Sequence, residues 1–417
     1  MRPLPVANRW AFGQIKRLAD VTLGKMLQSS DSGNDVLASY MRAANVQPDG
    51  ALMLEPKQMW FSAGELDSLS LRRGDVVVVE GGVGGYGRAA YLREDLPGWG
   101  FQNSINRLRP LDETDGRFLA YYLIALRASG YIGRYCNVVS MPHLTAEKLA
   151  ALPTPMPDAQ EQRAIADYLD RETARIDTLI EEQQRLIEML RDRRLDVIRS
   201  AVLGDINPFD PPPGTRLTAI GHHFSVTLGK MLDAGKSRRD GDEDLPYIRA
   251  GNIQDAGLRL DDVNMMPYSA AEAAQLNLVA GDLLVAEGGA VGTNVVLTED
   301  MPGWSFQKTV NRLRPLAGGS SAWLGYVLKT YRDIGIIDII CNKATIAHLT
   351  AEKLRALRVP DTDPGEQRRI AGYLDDQTAK IDTLIAETET FIELARERRS
   401  ALITAAVTGQ IDVREVA

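Results

Sequence analysis

Residues 76–87 read VVVVEGGVGGYG, and Gly82, Gly84 and Gly87 fall in G-x-G-x-x-G spacing behind a run of valines. Such spacing can hold a dinucleotide: the glycines allow a tight turn and close approach of a pyrophosphate, and the next helix aims its N-terminus at the phosphates. A second stretch argues against that chemistry here. EGGAVGTNVVLTED (Glu287 to Asp300) parallels EGGVGGYGRAAYLRED (Glu80 to Asp95), but it is two residues shorter and lacks the spacing. Val295, Val296 and Leu297 then read as a returning strand, not as a phosphate-capping helix. The shared element is expected to be strand, glycine turn, strand.

Other reactive residue types give no constellation. His143 and His348 sit in identical HLTAEKL segments, and the pair His222 and His223 has no counterpart, so no spacing resembles a zinc site or a catalytic triad. Cys136 and Cys341 lie 205 residues apart at equivalent positions, which predicts a reducing compartment and neither a metal cluster nor a disulfide. Asn207-Pro208-Phe209 approaches the Asn-Pro-Pro-aromatic loop of adenine methyltransferases, but only one proline precedes the aromatic, and INPFDPPPG reads as a linker. Catalytic residues and metal ligands are therefore expected to be absent.

The elements that must position everything else are written twice. VTLGKML recurs 205 residues on, as do PGW, NRLRPL, HLTAEKL, EQR and IDTLI, so the chain is a duplicated half of about two hundred residues. With 417 residues, 44% hydrophobic and 25% charged, and no apolar run that could span a bilayer, a soluble chain of two or more domains is expected. The stretch MRPLPVANRWAFGQIKRLAD has no apolar h-region, so a cytoplasmic location is expected.

Each copy divides again. Residues 1–157 and 206–362, the latter opening on the linker 206–214, mix short β runs, glycine turns and one helix near Phe118–Ser129 or Ala322–Tyr331, the pattern of an α+β domain. Residues 158–205 and 363–417 are helical. Asp158 and Asp363 are predicted N-caps, Glu161 is placed to complete a capping box, and Pro364 suits the first helical position. Apolar residues then recur at helical spacing: Ile165, Leu169, Ile176, Leu179 or Ile180, Ile187 in one copy, and Ile370, Leu374, Ile381, Leu384 or Ile385, Ile392 in the other. A helix of about forty residues is on the order of 60 Å long, too long to bury in one domain, so the two helices are expected to pair as a coiled coil. Gly204 and Gly409 should stop them.

YIRAGNIQ, GDLLVAEGG and HLTAEKLRALRVP, followed on one helix by EQR, YLD, IDTLI and the basic RDRR or RERR, resemble the specificity subunit of Type I restriction-modification systems over essentially the whole chain. The resemblance implies two target recognition domains, two conserved helical spacers that pair antiparallel, and no catalysis by the chain itself. It implies as partners double-stranded DNA, two methyltransferase subunits and restriction subunits. S-adenosylmethionine, ATP and magnesium would sit on those partners. A split, non-palindromic DNA target follows, since the two copies differ, as in ASYMRAANVQ against LPYIRAGNIQ. A coiled-coil scaffold with no DNA role is the alternative reading, and the net charge of −8 is unusual for a DNA binder.

Chemistry and repeat position nominate the DNA-facing residues. Arg42 and Asn45, repeated as Arg249 and Asn252, suit guanine and adenine edges; Gln102 and Asn103 are matched by Gln307 and Lys308; Lys25 and Lys230 suit phosphates.

Overall fold

A computed structural model describes residues 4–7, 9–82, 85–136, 142–231, 241–341 and 348–415. Gly84 and Leu232, of the glycine stretch and the second VTLGKML, lie outside the described residues. Two compact units result, residues 1–184 with 389–417 and residues 185–388.

In the first unit β1 (Ala11–Gln14), β2 (Ala19–Leu23), β3 (Val36–Met41) and β4 (Lys57–Phe61) precede α1 (Ala63–Ser68). Then come β5 (Val76–Val79), β6 (Ala89–Tyr91), β7 (Trp99–Phe101), β8 (Ile105–Pro110), α2 (Gly116–Ala128), α3 (Tyr131–Tyr135), α4 (Ala146–Ala150), β9 (Pro153–Met156) and the long α5 (Ala159–Leu203). The strands make a four-stranded sheet in the order β2-β8-β5-β6, a three-stranded sheet β4-β3-β7 and the pair β1-β9.

The second unit repeats the plan. It holds β10 (Leu217–Ala219), α6 (Ile220–His223), β11 (Phe224–Leu228), β12 (Glu243–Ile248), β13 (Ile253–Gln254), β14 (Gly257–Leu258), β15 (Asn264–Tyr268) and α7 (Ala270–Gln275). After these come β16 (Leu283–Ala286), β17 (Asn294–Val296), β18 (Ser305–Phe306), β19 (Val310–Pro315), α8 (Ser321–Asp333), α9 (Ile336–Ile340), α10 (Ala351–Ala356), β20 (Arg358–Pro360) and the long α11 (Pro364–Val407). Its sheets are β11-β19-β16-β17, β15-β12-β18, and the pairs β10-β20 and β13-β14.

The valine run now has a reason. In β5, Val76 and Val78 point into one apolar core and Val77 and Val79 into another, so the strand is buried on both faces and needs no polar alternation. Its mate β16 does the same with Leu283 and Val285 on one side and Leu284 on the other. β5 pairs antiparallel with β6, and β16 with β17, so the glycine stretch is a hairpin turn as expected, with Gly82 (φ +108°) and Gly87 (φ +75°) in the left-handed region. Among the described residues the stretch leads into β6 or β17, not into a helix that could receive a pyrophosphate.

Shared motifs lock helices onto domains. Gln162 of EQR donates to the Pro157 carbonyl and accepts from the Asp115 N–H at the start of α2; Gln367 does the same with Thr362 and Ser320. Asp170 of YLD accepts from Tyr121, Arg93 and Arg117, and Asp375 accepts from Tyr326. Asp158 caps α5 by accepting the Glu161 N–H, but the Glu161 carboxylate does not complete a capping box: it takes Trp10 Nε1 at 2.7 Å and Arg9 at 3.0 Å. A tertiary indole donor outcompetes the local backbone there. Pro364 is the first residue of α11, and Asp363 accepts the Gly365 N–H.

Within each unit the two long helices run antiparallel. In the first, Asp177 pairs with Arg399 at 2.8 Å, while Ile165 and Leu169 share a core with Ile403, Ala406 and Val407. In the second, Asp382 pairs with Arg194 at 2.8 Å, while Val197, Ile198 and Val202 share a core with Ala371 and Leu374. These ion pairs are the same pair twice, because Asp177 and Asp382, and Arg194 and Arg399, are repeat mates. Of the seam candidates, Ile165, Leu169, Ile180, Ile187, Leu374, Ile381 and Ile392 are buried, and Ile176, Ile370 and Ile385 are half-buried. Leu179 and Leu384 are exposed, which decides both open alternatives. Gly204 (φ +55°) and Gly409 (φ +69°) end the helices in the left-handed conformation that glycine supplies.

Candidate nucleic-acid interface

Three segments meet at one rim of each unit: the LGKML stretch after β2 or β11, the turn after β3 or β12, and the turn between β7 and β8 or β18 and β19. Gly24 makes the first contact possible. A Cβ there would lie 2.3 Å from the Gln102 carbonyl oxygen, and one on Gly229 would lie 2.4 Å from that of Gln307. With no side chain in the way, Lys25 bridges Gln102, and Lys230 bridges Gln307, in parallel register. The Gln102 N–H then donates to Met41 at 2.9 Å and the Ala43 N–H to Ser104 Oγ at 3.3 Å; Gln307 and Ile248, and Ala250 and Thr309, repeat these bonds at 2.8 and 3.1 Å. All ten nominated DNA-facing residues thus belong to these segments, five on each copy's rim.

Several of them have other work. Asn45 and Asn252 are buried, and each carboxamide is engaged inside the turn: Asn45 accepts from the Arg42 N–H at 2.9 Å and donates to Met53 O at 2.6 Å, while Asn252 accepts from the Arg249 N–H and donates to Arg259 and Asp262 carbonyls. They shape the turn and cannot reach a base edge, so the adenine-reading role expected of them is withdrawn. Lys25 and Lys230, nominated for phosphates, each hold an acidic partner within their own domain. Lys25 Nζ lies 2.5 Å from Glu65 and over the Phe61 ring; Lys230 Nζ lies 2.6 Å from Glu272 and over Tyr268. Both glutamates also close capping boxes on Ser62 and Ser269, so each lysine ties the rim to α1 or α7.

The hydrogen bond from Lys25, then that from the Ser62 N–H, holds the Glu65 carboxyl below its ordinary value; Lys230 and Ser269 do the same for Glu272. A lowered carboxyl contributes stability above its unfolded value, and that contribution is lost as pH falls through the folded one. The clamp therefore works at neutral pH and fails in acid. Lys25→Met is expected to lower the melting temperature of the first unit yet leave unchanged the slope of log affinity against log salt for DNA. A slope smaller by about one unit would return Lys25 to the phosphates.

Arg42 and Arg249 stand between these cases. Arg42 pairs with the exposed Glu55 at 3.1 Å and Arg249 with the exposed Asp262, while each Nε is buried with no acceptor. Gln102 and Gln307 accept from Ser104 and Thr309. Asn103 is half-buried and Lys308 exposed. Sequence reasoning passed over Met26 and Met231, which are 75% and 62% exposed beside the lysines. Their signal was available: a methionine repeated at the same place in both copies, two residues after a shared glycine.

The repeated NRLRPL also resolves into framework. Arg107 donates to Ser68 and Ser70 carbonyls at the end of α1, and burial pushes its guanidinium below the ordinary value. Arg109 makes two 2.8 Å bonds to the buried Asp75 at the foot of β5, an arrangement repeated by Arg314 and Asp282. Among the described residues no three His, Cys, Asp or Glu side chains come together as a metal site would require, and no helix is long and apolar enough to cross a membrane.

The first copy is a DNA specificity domain: residues 8–189 match the family described as Type I restriction modification DNA specificity domain. No curated protein sequence matches the chain. Two solved structures are similar over its length. One is a chain from work on complex assembly and conformational transition of the type I R-M system, with 17% identity, 97% of this chain and 99% of that chain covered, and a TM-score of 0.74. The other is the HsdS subunit from Thermoanaerobacter tengcongensis, with 18% identity, 97% and 98% covered, and a TM-score of 0.62. At these identities the likeness is one of fold. The motifs of the matched region recur 205 residues on, so the second half of the chain repeats the part that matches this family.

Proposed function

We propose that this chain reads a split, non-palindromic DNA target, one half with each recognition domain, and holds methyltransferase subunits on it through the paired helices. The observation that carries the reading is the duplicated rim: one backbone framework, built twice from the same Gly, Lys, Arg and Asn residues, presenting unlike side chains. One ligand type in two sequences is what such a surface fits. A scaffold without DNA is not favoured, since the domain matched is a DNA specificity domain.

The chemistry is assigned to partners. S-adenosylmethionine would be held by the methyltransferase subunits, and ATP with magnesium by restriction subunits where these join. The net charge of −8 fits a subunit whose partners supply many phosphate contacts, because much of its own arginine is spent on internal carboxylates. Replacing residues 214–360 with the matching domain of a relative is expected to change one half of the methylated sequence and leave the other intact. Genome-wide mapping of methylated adenines reads this; a change in both halves, or in neither, would overturn the proposal.

A further inference from the structure

Positions identical in the two copies cannot distinguish two unlike half-sites, so the discriminating groups must be sought where the framework is kept and the chemistry changes. The turn before β8 reads Gln102-Asn103-Ser104, and the turn before β19 reads Gln307-Lys308-Thr309. The glutamine is retained. The hydroxyl is retained in function, since Ser104 Oγ donates to Gln102 Oε1 and Thr309 Oγ1 to Gln307 Oε1. Only the middle residue changes class, from a carboxamide to an ammonium.

Its backbone is fixed identically in both copies. Asn103 N–H donates to Lys25 O, and Lys308 N–H to Lys230 O, each at 2.8 Å. The two side chains therefore leave equivalent points of the rim. Neither the Asn103 carboxamide nor the Lys308 ammonium has a hydrogen bond to another described residue. Lys308 does feel the Glu287 carboxylate, a group that burial holds above its ordinary value. The residue after each bridged lysine is a methionine, Met26 or Met231, more than half exposed. The same exposed methionine at the equivalent place of both rims fits a contact surface, and methionine can meet a thymine methyl or the face of a base.

A carboxamide can pair with N6 and N7 of adenine, whereas an ammonium can donate to O6 and N7 of guanine. We propose that position 103, with its mate 308, is a specificity-determining position of each recognition domain: Asn103 reads an adenine in one half-site and Lys308 a guanine in the other. This rests on the reading of the chain as a split-target DNA recogniser. The remaining rim residues would supply the common platform.

The test uses the chain co-expressed with its methyltransferase partner, with methylated adenines mapped across the host genome for the wild type, Asn103→Lys, Lys308→Asn, and the alanine variants of both. Asn103→Lys is expected to shift the adenine-to-guanine ratio at one position of one half-site by tenfold or more, and Lys308→Asn to make the reverse shift in the other half-site. Each alanine variant, which cannot clash, should relax the same single base. An unaltered motif at wild-type occupancy in all variants would overturn the assignment while leaving the split-target reading in place. So would loss of all methylation with unchanged melting, which would make the position part of assembly. If the wild-type complex gave no split motif at all, the underlying reading would fail along with the proposal.

Discussion

Asp75→Ala is expected to unfold the first recognition domain at temperatures where the second remains folded. Asp75 is 1% exposed, receives two bonds from Arg109 and one from the Arg72 N–H, and so ties the turn before β5 to β8. Removing it strands a guanidinium whose side chain is only 29% exposed. Breaking a buried pair from one side costs about 3–5 kcal/mol, and partial exposure of Arg109 places this case near 3 kcal/mol. For a unit of this size that is roughly a 6–12 °C drop in melting temperature. Asp282→Ala should do the same to the second unit through Arg314. Calorimetry of the full chain distinguishes the two: each variant moves one transition, and equal movement of both would mean that the units do not melt separately. Replacing Asp75 and Arg109 together by leucine should recover most of the loss, because the penalty is the unpaired charge and not the missing bond.

The same carboxylates show why part of this molecule was legible in its sequence and part was not. The duplication could be read from motifs 205 residues apart, and the hairpin from an apolar run ending in glycines. Both rest on local or repeated signals. The long helices could be read almost to the residue, Ala159–Leu203 and Pro364–Val407, because caps and terminal glycines are local too. The rim could not. Lysine, arginine and asparagine there are types that suit DNA, but Lys25 is answered by Glu65, forty residues on, and Asn45 by the Met53 carbonyl. Residue type states what a side chain can bind, whereas only the fold states what already binds it. Glu161 fails as a capping-box member for the same reason, with Trp10 lying 151 positions away.

The membership of the last helix was equally hidden, and it carries the largest expected effect. By repeat position, residues 389–417 close the second copy; in the structure they belong to the first unit. Ile403, Ala406, Val407 and Val413 are buried in the core that holds Leu4, Trp10, Phe118 and Leu169. The Ala7 N–H donates to Thr408 O at 2.8 Å, and the Trp10 ring leaves so little room that a Cβ on Gly409 would lie 2.9 Å from it. Replacing Ile403 and Val407 together by alanine removes two buried branched side chains, each worth about 1.5–3 kcal/mol in transfer alone, with a cavity term besides. They are one turn apart and share neighbours, so the sum is not strictly additive; about 5 kcal/mol is expected. That approaches the whole stability of many domains. Amide exchange locates the damage: protection in α2 should fall by a thousandfold or more, since each 1.4 kcal/mol is tenfold, while α8 of the second unit keeps its protection. Faster exchange in α8 with α2 unchanged would show that the helix serves the copy it follows in sequence, and would refute the exchange of helices between the halves.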